Sequence, residues 1–83
     1  MPVDDFERKI EVERDRMHRL VQRLREAVSS SSNLYLAADL HEAWTELERL
    51  LGLGRPHFTD IDLAIVRAKV VLERAHRVAG EGS

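Results

Sequence analysis

The chain has 83 residues, 43% hydrophobic and 34% charged, and its 13 Lys and Arg against 15 Asp and Glu leave a formal net charge of −2. That length holds one hydrophobic core, so a single domain over residues 1–83 is expected, and the apolar content excludes a disordered chain. The charge gives no long-range pull on nucleic acid or an anionic membrane, and the absence of cysteine excludes disulfides, thiolate metal ligands and cysteine nucleophiles.

The first element is a long amphipathic helix over about residues 3–28. Val3, Phe6, Ile10, Met17, Leu20, Leu24 and Ala27, completed by Glu13, follow an alternating three-and-four spacing, which is the pattern of a coiled-coil-like seam. At about 1.5 Å per residue the helix is roughly 39 Å long, so only another helix can cover it. Glu13 is the single seam position that breaks the pattern. It is expected to pair with an arginine and to mark where the covering helix ends.

Ser29-Ser30-Ser31-Ser32-Asn33 closes this helix and opens the next, because Ser and Asn compete for backbone hydrogen bonds and prefer caps. With Ser32 or Asn33 as N-cap, Leu36, Leu40, Ala43, Leu47 and Leu50 form the inner stripe of a helix over 34–51, widened on one side by Trp44 and Leu51. Gly52 and Gly54, which tolerate positive φ, and Pro56, which cannot continue a helix, make a firm break. The link between the first two helices is short, so they form an antiparallel hairpin. That hairpin is expected to lay the basic half of the first helix, Arg14 to Arg25, beside Asp39, Glu42, Glu46 and Glu48.

The third start reads as a capping box with Thr59 at the cap, Asp62 three residues on, and Phe58 placed to pack on Leu63. Asp60 and Asp62 suit the positive end of the helix dipole, and Arg74, His76 and Arg77 the negative end. The helix is expected over 60–79, with 80–83 as a frayed tail. It is apolar on two sides: Ile61, Ile65, Ala68, Leu72, Ala75 and Ala79 make one seam, while Leu63, Val66 and Val70 lie partly opposite. One small chain cannot readily cover both sides, so a homodimer or another helical partner is expected over the second strip.

No chemistry-bearing motif is complete. His18, His41, His57 and His76 do not form a zinc helix motif, since Thr45 stands where a second ligand would follow His41, and no metal or cofactor is expected. Serines 29–32 lack a nucleophile elbow, and Asp39 and His41, two residues apart, point to different faces, so no enzyme is expected. Arg14, Arg16, Arg19, Arg23 and Arg25 could meet phosphates, but no aromatic platform accompanies them; weak nucleic-acid binding through this cluster is the second alternative. No apolar run approaches the roughly 20 residues that cross a bilayer. Met1-Pro2-Val3-Asp4-Asp5-Phe6 is acidic where a secretory signal is basic, so a cytoplasmic location is expected.

Ile10-Glu11-x-x-Arg14-x-x-Met17-x-x-Leu20-Val21, then Leu34 and Ala37-Ala38-Asp39-Leu40-His41, resembles the helical hairpin of the sporulation-phosphorelay aspartyl-phosphate phosphatases over about half of the chain. The resemblance implies a small phosphorelay-type regulator. Of that family's Ser-Gln-Glu-Leu-Asp signature only Leu40 is retained, and His41 replaces the final Asp. The residues themselves favour an all-α fold, a three-helix bundle on a long antiparallel hairpin, serving as a non-enzymatic interaction or regulatory module. Its expected contact surface is Trp44, Leu63, Val66 and Val70.

Overall fold

The computed structural model describes residues 5–81, with side chains through residue 78. Three helices fill this span: α1 over Asp5–Ser30, α2 over Leu34–Leu51 and α3 over Phe58–Glu81. No strand occurs among the described residues, and the class is all-α. Val3, the side chain of Ala79 and the tail residues 82–83 lie outside the described residues.

The three inner stripes meet in one continuous core. Met17 and Leu24 of α1, Leu40, Leu47 and Leu50 of α2, and Ile61 and Ala68 of α3 are fully buried in it. These are the positions that the three-and-four spacing placed on the inner faces, since residues so spaced share one side of a helix. The directions of the helices follow from their cross-contacts. Phe6 meets Phe58 edge to face at 5.5 Å, which sets the starts of α1 and α3 side by side. Arg25, late in α1, lies 4.9 Å over the ring of Trp44 in α2, and Arg74, late in α3, bonds Asp39, early in α2, at 2.8 Å. α2 is therefore antiparallel to both of its neighbours, and the molecule is a rod of 54 × 18 × 18 Å. Its accessible surface of 6204 Å² exceeds the roughly 5,000 Å² typical of a compact protein of this mass, so the shape favours long exposed helix faces over clefts.

The first turn of α2 is capped by Asn33, whose Oδ1 accepts from the N–H groups of Tyr35 at 3.0 Å and Leu36 at 3.1 Å. Its extended backbone, φ −92° and ψ 114°, is that of an N-cap. Ser30 stays helical, its hydroxyl donating to the Glu26 carbonyl at 2.9 Å, which carries α1 two residues past the expected end.

Several expectations are corrected. The break after α2 does not use positive φ: no described residue adopts it, and Gly52 is right-handed at φ −79° and ψ −13°. Its N–H donates to the carbonyls of Glu48 and Arg49, so α2 tightens through its last turn and ends at Leu51, with Pro56 lying in the link beyond. α3 begins at Phe58, not at residue 60, because the Ile61 N–H donates to the His57 carbonyl at 3.1 Å and His57 occupies the cap. Thr59 is thereby inside the helix. Phe58 turns to Phe6 and not to Leu63, which is 66% exposed; burying two aromatic rings together outweighs one side-chain cap. The helix also continues through residue 81 where a tail from residue 80 was expected.

The charge pairing differs too. No ion pair joins α1 to α2 among the described residues. Asp39 and Glu42 pair with Arg74 and Arg67 of α3, at 2.8 and 3.4 Å, and Glu46 pairs with Arg49 of its own helix at 2.6 Å. Residues 39, 42 and 46 recur at helical spacing on the flank of α2 that meets α3, so proximity along the hairpin did not decide their partners. Hydrogen bonding from Arg49 also holds the Glu46 carboxyl below its ordinary pKa.

Candidate interaction surface

Leu63, Val66 and Val70 are 66%, 58% and 54% exposed. Successive steps of about 100° per residue bring the three within about 60° of one another, on the side of α3 opposite Ile61, Ile65 and Ala68. They form one outward strip on the rod. Thr59 precedes the strip along the same face and Arg77 follows it, both exposed. On one flank stand Asp62 and Lys69, neither with an ion-pair partner among the described residues. On the other stand Arg67 and Arg74, each held by a carboxylate of α2.

Trp44 is not part of this strip. It is half-buried on the flank of α2 that faces α1, between the Arg25 guanidinium at 4.9 Å and the His41 ring at 5.2 Å. It packs against the core, and its Nε1 is buried without a hydrogen-bond partner. The other exposed large apolar side chains are Val12 at 58%, Leu34 at 84% and Tyr35 at 88%, with Leu53 and Val78 near 40%. Val12 lies beside Asp62 in a shallow depression between α1 and α3 that Arg8, Lys9, Glu13 and Phe58 also line. Its exposure follows from its place off the α1 seam.

The arginines of α1 are dispersed. Arg16 bonds Glu13 at 3.2 Å, Arg25 covers Trp44, and Arg19 and Arg23 form no ion pair among the described residues. Glu13 itself is 15% exposed in its side chain, and its second carboxylate oxygen is buried without a partner. α2 ends beside His18 and Val21, and Gly54 and Arg55 lie along Ile10 and Arg14, so Glu13 sits beyond the end of the covering helix.

Asp39 and His41 are not brought together, since Asp39 turns to Arg74 of α3 while His41 stands exposed, edge-on to Trp44. Among the described residues no group of three or more His, Cys, Asp or Glu side chains is placed to hold a metal ion. No described helix is long and apolar enough to cross a membrane. A recess of about 500 Å³ lies at the end of the rod between Ala27, Leu36, Leu72, Ala75 and the serine link. Among the described residues that line it, His76 is the ionisable one.

Known proteins give no further guide. The chain matches no protein-family model, and it has no significant match among curated proteins or solved structures.

Proposed function

We propose that this chain is a non-enzymatic helical interaction module, a three-helix bundle that binds through the outward strip of α3 and self-associates there when no other helical partner is present. The observation that carries the reading is the exposure of Leu63, Val66 and Val70 together on one face of α3. Three large apolar side chains aligned at helical spacing are the anchors of helix-on-helix docking, and a rod without a deep cleft has little else to offer a partner. Trp44, buried along one edge beneath Arg25, is a secondary contact candidate on a different side.

The test is to change Val66 and Val70 to Glu. Both are surface positions, so helicity should be retained while the mass measured by light scattering falls to that of a single chain. An unchanged mass in the variant would remove the strip as the contact surface. A phosphorelay regulator and a nucleic-acid binder are the rival readings. The first would draw on Asp39 and His41 and is tested by incubation with an aspartyl-phosphate protein; the second would draw on Arg19 and Arg23 and is tested by salt-dependent retention on a polyanion.

A further inference from the structure

The contact can be specified further, on the basis of that self-association. We propose that the occupant of the α3 strip is a second copy of this chain laid antiparallel, α3 against α3, with the two-fold axis passing between Ile65 and Val66.

The charges beside the strip select this orientation. Asp62 and Lys69 share one flank of α3, seven residues apart, and neither forms an ion pair among the described residues, although Asp62 shares a shallow depression with Arg8 and Lys9 of α1. A symmetric parallel pair would turn this flank toward the opposite flank of the second copy, setting Lys69 between the cations Arg67 and Arg74. An antiparallel pair with residue numbers summing to 131 at each level sets Asp62 opposite Lys69 of the second copy, and the reverse. On the far flank Arg67 is already neutralised by Glu42 at 3.4 Å, so its approach to the second Arg67 near the axis is screened.

The same register interleaves the apolar side chains. Along the rod the order becomes Val70 of the second copy, Leu63, then the two Val66 side chains side by side, the second copy's Leu63, and Val70. Neighbours in this order are one to two residues apart, about 1.5–3 Å of axial rise, so each Leu63 drops between Val66 and Val70 of the other helix. The overlapping portion of α3 is about 24 Å long and a helix width across, at the low end of specific interfaces, so the dimer is a weak one that high protein concentration fills.

The absence of cysteine allows a direct test on the full chain. Single variants Val66→Cys and Val70→Cys, and an equal mixture of Asp62→Cys with Lys69→Cys, are oxidised mildly and run without reductant. Val66→Cys and the mixture should cross-link into dimers, while Val70→Cys, about 13 Å from its own copy in this register, should not. Cross-linking of Val70→Cys as efficient as that of Val66→Cys would overturn the antiparallel register and leave self-association standing. No cross-link at any position, with single-chain mass at every concentration, would remove self-association itself. In the uncrosslinked protein, Asp62→Lys and Lys69→Asp should each weaken the dimer about tenfold, and the two combined should restore it. Failure of the double variant to recover would count against the pairing of these flanks.

Discussion

Replacing Glu13 by Leu should stabilise the protein. Glu13 occupies a seam position of α1, is 15% exposed in its side chain, and holds one carboxylate oxygen out of water without a donor. Leucine has a similar volume, reaches the same space beside Phe58, and removes the stranded oxygen. Relief of one unsatisfied buried polar atom is worth about 1–3 kcal/mol, and a mostly buried leucine contributes about 1.5–2 kcal/mol of apolar transfer. Against this stands the loss of a part-exposed ion pair with Arg16, about 0–1 kcal/mol, and of the acid's remaining solvation. A net gain of about 1–3 kcal/mol follows, which for a domain of this size raises Tm by about 5–15 °C. The assay is thermal and urea unfolding by circular dichroism at low concentration, on the Val66→Glu, Val70→Glu background, so that association does not enter. A Tm at or below that of the parent would refute the placement of Glu13 in the α1–α3 contact. Glu13→Gln, which keeps the shape and removes the charge, should fall between the two.

Other substitutions probe the rest of the fold. Leu47→Ala, at a fully buried position between the helices, should cost about 2–5 kcal/mol in urea unfolding, enough to unfold much of a small domain at 37 °C. Asn33→Ala removes the acceptor of two N–H groups and should cost about 1 kcal/mol, read as a lower urea midpoint. Gly54→Ala should be neutral or gain about 0.4–1 kcal/mol, since nothing lies within 4 Å of an added Cβ and no positive φ is needed there; a large loss would contradict the described link. Trp44→Phe leaves a ring under Arg25 and drops the unpaired Nε1, so a change below about 1 kcal/mol is expected, with the tryptophan emission lost.

Much of this architecture is legible in the residues because helical periodicity is a strong signal. The inner stripes from Ile10 to Leu24 and from Leu36 to Leu50 are the buried ones, and Asn33 caps where its side chain chemistry suits. The strip of Leu63, Val66 and Val70 was legible for the same reason, as apolar residues left over on the far side of a helix whose inner side was already filled. Local rules failed where tertiary contacts competed with them. Thr59 and Asp62 spell a cap, but the pairing of Phe58 with Phe6 draws the helix start back to His57, and no one-dimensional pattern announces that two rings far apart in the chain will meet. The ion pairs were misassigned because charge composition says which helices are acidic or basic, whereas the flank each residue occupies decides its partner. Asp39 and Glu42 share the flank turned to α3, and Arg74 and Arg67 were there to receive them.

The central claim is that the α3 strip is a contact surface between chains. Sedimentation equilibrium of the intact protein from micromolar to near-millimolar concentration tests it most directly. The weight-average mass should rise from 9.5 kDa toward twice that value, and the Val66→Glu, Val70→Glu variant should stay at 9.5 kDa throughout. A wild-type mass fixed at that of one chain across the whole range would contradict it.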